Sequence, residues 1–116
     1  SIEAKILFDA DKLDATGAIG IARTLFYKGQ VSEPLYNVDT QGRIQDGTGD
    51  EKPSFLQEYR LKLENIYSYF YTDKGRMMAQ ARRHAASDYY ENLLAEVCPI
   101  YEKGRQALEE RTGFHV

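Results

Sequence analysis

From Ile2 to about Tyr27 the apolar and small positions crowd together without a proline, through Ile6, Leu7, Phe8, Ala10, Leu13, Ile19, Ile21, Leu25 and Phe26. Such a pattern, apolar around most of a helical circumference, predicts one largely buried helix over residues 1–29. Ala4 to Phe8 alone also fits a strand, but the Ala, Leu and Lys positions beyond it favour the helix. Gly17 and Gly20 each cost about 1 kcal/mol against alanine inside a helix, so they predict the close approach of another helix there. Gly29 supplies a C-cap.

Residues 30–53 carry Pro34, Gly42, Gly47, Gly49 and Pro53 among Asp, Gln, Thr and Ser, with no sustained period, and predict a long loop. Periodicity returns after Ser54. Phe55, Leu56, Tyr59, Leu61, Leu63, Ile66, Tyr67 and Phe70 have roughly the three-four spacing of an amphipathic helix to about Tyr71. Thr72 or Asp73 caps the next, whose inward face is expected to hold Met77, Met78, Ala81, Ala85, Tyr89, Leu93, Leu94 and Val97. Pro99 is expected to end that helix near Cys98, with a shorter polar helix from Ile100 to Arg111 after it and a stop at Thr112–Gly113. Residues 54–111 thus read as amphipathic helices, and residues 1–116 as one all-α domain or domain fragment.

Composition narrows the functional classes. The chain has 116 residues, a length at which roughly two thirds of the unfolded surface is buried on folding, so one core suffices without staples. A single cysteine, Cys98, excludes an internal disulfide framework and a multi-cysteine zinc site, and makes a reducing cytoplasm the expected location. Lys and Arg number 15 against 18 Asp and Glu, the wrong balance for gripping a nucleic acid polymer. No apolar run approaches the roughly 20 residues of a membrane span, and Ser1-Ile2-Glu3-Ala4-Lys5 lacks the layout of a signal peptide. The start also lacks Met and runs directly into a helical pattern, as a fragment would.

The candidate chemistry lies in Asp9-Ala10-Asp11-Lys12-Leu13-Asp14. Three carboxylates on the most apolar helix need compensation, because an unpaired buried charge is expensive. Asp11 and Asp14, three apart, share a helical face and can act at one site; Asp9 points elsewhere. Two kinds of partner stay open on spacing alone. One is a divalent cation, Mg2+ or Mn2+, for which carboxylate oxygens are suitable ligands. The other is ion pairing to Lys12, Arg23 or an arginine from Arg76, Arg82 and Arg83. The tyrosines Tyr59, Tyr67, Tyr69, Tyr71, Tyr89, Tyr90 and Tyr101 sit at helical spacing among Leu and Ile and read as core and rim rather than as a base-stacking platform. Asp46-Gly47-Thr48-Gly49-Asp50 lacks the glycine and the later Glu of a calcium loop in register.

Residues 3–15, Glu-Ala-Lys-Ile-Leu-Phe-Asp-Ala-Asp-Lys-Leu-Asp-Ala, and residues 17–24, Gly-Ala-Ile-Gly-Ile-Ala-Arg-Thr, resemble the last metal-ligand motif of bacterial HD-domain metal-dependent phosphohydrolases. The likeness is to the small stand-alone branch, whose helix reads D-A-D-[RK]-L-D-A and then G-A-I-G-I-A-R. Phe55 to Tyr71 and Thr72 to Val97 are similar to that branch's later helices, more loosely. The resemblance implies the C-terminal part of an HD-domain-like helical bundle. It implies hydrolysis of a phosphate ester or anhydride, a nucleotide or other small phosphorylated metabolite, by water activated on a divalent metal. It places the distant Asp ligand at Asp11, makes Asp14 a neighbour that orients a ligand or water, and makes Lys12 and Arg23 the candidates for binding substrate phosphate. The family's other ligands are a His and a His-Asp dipeptide. Here His84 is followed by Ala85 and His115 by Val116, so the chain holds no such dipeptide and is expected to need an N-terminal half. A second copy is the other expected cover for the apolar first helix. The competing class is a non-catalytic helical interaction module whose Asp cluster pairs with arginines.

Overall fold

The computed structural model describes residues 1–50 and 52–112. Among them the named elements are all helical, and an isolated antiparallel bridge, Val38 with Ile44, is the extended pairing. The expected all-α class holds.

Helix α1 spans Ile2–Leu13, and Ser1 begins it by accepting a hydrogen bond from the Ala4 N–H at 3.2 Å. Helix α2 spans Gly17–Gln30. The single helix expected over residues 1–29 is therefore two. The break is a corner: the N–H groups of Asp14, Ala15 and Thr16 each bond three residues back, Thr16 is extended, and Gly17 has φ +59°. A Cβ on Gly20 would lie 2.4 Å from the Ala15 carbonyl carbon and oxygen, so the corner itself demands glycine there. At Gly17 the crowding comes from another helix, through Arg82. Helix α2 runs past Gly29, the expected cap, to Gln30, and Ser32 takes the positive φ instead.

Residues 31–50 and 52–54 form the loop, stitched down rather than loose. Asp39 accepts from the Gln41 and Arg43 N–H groups, and the Pro34 and Leu35 carbonyls accept from Phe55 and Leu56. The Tyr90 hydroxyl donates to the Asp46 carbonyl, and the Asp46 carboxylate accepts from the Thr48 N–H. Ser54 caps the short helix α3, Phe55–Glu58. The continuous helix expected to Tyr71 is instead α3, a π-helical turn at Tyr59–Leu63 and a 3-10 turn at Ile66–Ser68. Asn65 interrupts it, its side-chain amide donating to the Arg60 and Leu61 carbonyls in competition with the helix ladder.

Helix α4 spans Asp73–Thr112 and passes through Pro99, so the separate helix expected from Ile100 is its continuation. Proline biases the residue before it away from helix without forbidding it, and good helix formers lie beyond. Thr72 begins α4 as expected, its hydroxyl accepting from the Gly75 N–H. Gly113 of the expected stop, and His115, lie outside the described residues.

The core joins Ile21 of α2, Phe55, Leu56, Tyr59 and Leu63, and Ala86 and Tyr90 of α4; Ile66, Tyr67, Phe70 and Ala79 make a second cluster. The inward face of α4 is thus built on Ala79, Ala86 and Tyr90, not on Met77, which is 73% exposed, nor on Ala81 and Ala85. Small residues win because the short turns come close to α4, with Tyr59 and Tyr90 stacked at 4.4 Å. The expected burial of α1 fails: Ile2, Ile6, Leu7 and Phe8 are exposed, and of its residues Asp9 alone is buried. Among the described residues α4 covers one side of α1 and leaves these apolar side chains open. No helix among the described residues is long and apolar enough to cross a membrane.

Candidate functional site

The structure divides the acidic segment of α1 three ways. Asp9 turns into the start of α4, where its carboxylate accepts hydrogen bonds from the Tyr71 N–H at 2.8 Å, the Thr72 N–H at 2.7 Å and the Thr72 hydroxyl at 2.6 Å. Burial pushes this carboxyl up, but the Thr72 hydroxyl, the two backbone donors and nearby Lys12 outweigh it and hold it below the usual carboxylate range. Gly75 makes room: a Cβ there would lie 2.5 Å from the Asp9 carboxylate. Asp9 is a structural clamp, in keeping with its expected separation from the other two.

Lys12 is turned away as well. Its ammonium donates to the Tyr69 carbonyl at 2.9 Å and sits 3.7 Å from the centre of the Phe8 ring. Of the two candidates for substrate phosphate, Lys12 and Arg23, the structure thus does not bring Lys12 to the groove that Arg23 lines.

Asp11 and Asp14, with Arg23, do come together. They line one open groove of about 520 Å³, together with Tyr27 of α2, Glu58 and Lys62. Asp14 lies 3.8 Å from Arg23, and both side chains are more than half exposed, so the pair is weak and can rearrange around a ligand. Glu58 faces the buried ammonium of Lys28 at 4.0 Å, and Lys28 is held by Glu33 at 2.5 Å. Of the three arginines expected to serve as partners, Arg82 caps the C-terminus of α1 by donating to the Leu13 carbonyl at 3.0 Å, and Arg76 bonds Asp73 and the Phe70 carbonyl. Neither pairs with Asp11 or Asp14. Exposed His84 lies on the surface of α4.

Glu58 and Lys62 were not found from the sequence. Their signal was weak, an i,i+4 pair of opposite charge interleaved with the apolar Phe55, Leu56, Tyr59 and Leu63. Although Asp11, Asp14 and Glu58 line the same groove, the described residues hold no group of three metal-ligating side chains. The groove fits a divalent metal only as part of a ligand set.

No protein-family model matches the chain. It is 31% identical over 97 residues to the uncharacterized protein YpgQ of Bacillus subtilis (strain 168), an alignment covering 84% of this chain and 41% of that protein. The crystal structure of an HD-superfamily hydrolase from Bacillus thuringiensis matches with TM-score 0.66 and 32% identity, over 83% of this chain and 46% of that one. The chain is thus similar in sequence and in fold to part of an HD-superfamily hydrolase. Two further structures match over 84% of this chain. They are YpgQ in complex with ADP, with TM-score 0.68 and 32% identity over 45% of that chain, and Lin1889 of Listeria innocua, with TM-score 0.70 and 33% identity over 48% of that chain. The chain thus spans less than half the length of the relatives named, a share consistent with the C-terminal portion expected.

Proposed function

We propose that this chain is part of a metal-dependent phosphohydrolase that cleaves a phosphate ester or anhydride, with a nucleotide as the substrate class and the cytoplasm as its place of work. The observation that carries the reading is the groove that gathers Asp11, Asp14 and Arg23 while Asp9 and Lys12 are held elsewhere. The ADP bound to the YpgQ structure supports the nucleotide class. Asp11 is the one metal ligand this chain contributes, and the remaining donors, the His and His-Asp of the family pattern, come from outside it. Bound there, Mn2+ or Mg2+ would lower the pKa of water and screen phosphoryl charge. Asp14 orients a ligand or a water beside it, and Arg23, now 3.8 Å from Asp14, shifts its charge to substrate phosphate.

The test is hydrolysis of a nucleotide and phosphomonoester panel with Mn2+ or Mg2+ by the full-length protein and its Asp11→Ala and Asp14→Ala variants. Asp11→Ala should abolish activity with helix content nearly unchanged; Asp14→Ala should lower it by about 10- to 100-fold, the usual cost of losing an orienting partner. Full activity in Asp11→Ala would remove that residue from the ligand set.

The open apolar side of α1 favours a second reading, a helical interaction module in which Asp14 pairs with Arg23 and a second copy or the rest of a longer polypeptide covers Ile2, Ile6 and Leu7. Inactivity of the full-length protein across the panel would favour it. A monomer at every concentration in size-exclusion chromatography would count against the second copy.

A further inference from the structure

The groove has two cationic walls. Arg23 lines it from α2 beside Asp14, and Lys62 lines it from the π-helical turn. That turn is held by the Glu64 N–H donating to the Tyr59 carbonyl five residues back at 2.8 Å, and by Tyr59 and Leu63, which are buried in the core. Single π-helical turns cost regular hydrogen bonding and recur at functional sites. This one holds rigid the backbone that carries exposed Lys62 at the groove.

Charge in the groove is unevenly satisfied. Asp14 faces Arg23, and Glu58 faces Lys28. Lys12, which lines a smaller groove together with Lys62, is fixed by the Tyr69 carbonyl and the Phe8 ring. Among the described residues the Lys62 side chain has no hydrogen bond, ion pair or ring contact, so its ammonium is the cation at this groove not already engaged. A flexible lysine with three donors suits a mobile phosphate oxygen. A groove of about 520 Å³ is also the size of a nucleotide-scale ligand site.

We propose that Lys62 is the specificity-determining residue for a second phosphate: it binds the phosphoryl group next to the one attacked, so that a nucleoside di- or triphosphate spans from Arg23 to Lys62 while a monophosphate reaches only one wall. The inference rests on the phosphohydrolase reading for the kind of ligand, and it deepens that reading by selecting among phosphorylated substrates. Lys62 touches no reacting atom in this assignment.

The experiment is calorimetric binding of ADP and of AMP, each with Mg2+, to the full-length protein and to its Lys62→Ala and Lys62→Arg variants, with hydrolysis assayed separately. Lys62→Ala should weaken ADP roughly ten- to a hundredfold and AMP by less than about threefold, with Lys62→Arg within about threefold of the parent for both, as expected when one charged hydrogen bond is lost and then replaced. Unchanged ADP affinity in Lys62→Ala, equal losses for ADP and AMP, or a parent protein that binds no ADP would each overturn the assignment. A parent that binds ADP through Lys62 yet hydrolyses nothing would leave Lys62 standing and defeat the hydrolase reading, so the two failures are distinguishable.

Discussion

Gly17→Ala should unfold the corner on which the groove depends. Gly17 has φ +59°, and an added Cβ would sit 2.7 Å from the Arg82 Cβ and 3.1 Å from the Arg82 carbonyl oxygen. The left-handed conformation costs an L-residue about 1–2 kcal/mol. The contact adds overpacking of about 1–3 kcal/mol, since the atoms met lie at the root of a side chain and in the backbone of α4 and cannot swing aside. Against these stands a gain of about 0.4–1 kcal/mol from a stiffer unfolded chain. The net is a loss of about 1–5 kcal/mol, and relief of the clash would draw Arg82 off the Leu13 carbonyl that it caps at 3.0 Å. Gly29 is the internal control. It lies in α2 with nothing within 4 Å of an added Cβ, so Gly29→Ala should stabilise by about 0.5–1 kcal/mol. Urea unfolding followed by far-ultraviolet circular dichroism measures both. A Gly17→Ala protein within about 0.5 kcal/mol of the parent, or a Gly29→Ala protein equally damaged, would refute the reasoning.

Two predictions concern pH. Burial first, and then the charge of Asp46, push the Tyr90 phenol up to about 12, so the stability it contributes is complete below the ordinary tyrosine value of 10.0 and is lost as pH rises through the folded value. Tyr90→Phe should flatten stability across that alkaline window, and an identical alkaline loss in parent and variant would show that another group is responsible. For Asp9 the sign is reversed: its carboxyl is held below 3.8, so its contribution is present above that value and disappears as pH falls through the lower folded one. Asp9→Asn, which cannot accept all three hydrogen bonds, should be less stable at neutral pH and show a shallower acid transition in circular dichroism; an unchanged acid profile would contradict the clamp.

Periodicity and spacing were legible in the sequence. The all-α class, the loop after α2, the cap at Thr72 and the shared face of Asp11 and Asp14 all follow from local pattern. The features that stayed hidden depend on partners distant in the chain. The corner at Asp14–Thr16 is fixed by the Tyr67 hydroxyl, which accepts the buried Gly17 N–H at 3.0 Å, and by Arg82, some 50 and 66 residues away from the residues they bind. An amphipathic pattern also states only that a face is apolar, and α1 has such a face whether or not anything among the described residues covers it. The inward face of α4 departs from the expected one because methionines outrank alanines in hydrophobicity, while close packing against Tyr59 and Tyr67 rewards the smaller side chain.

The arrangement of α1 also explains why the three carboxylates cannot exchange roles. Asp9 already accepts three hydrogen bonds, and turning it toward the groove would leave the Tyr71 and Thr72 donors unpaired at the start of α4. Lys12, the neighbouring cation that could neutralise Asp11 from its own helix, is spent on the Tyr69 carbonyl and the Phe8 ring. Asp9 and Lys12 are therefore both committed to holding α1 against the segment from Tyr69 to Thr72. The same contacts that fix the helix leave Asp11 and Asp14 as acidic lining of the groove, which Arg23 and Lys62 also line. A site of this composition attracts a cation and a polyanion together more readily than either alone, because each neutralises the wall that would repel the other.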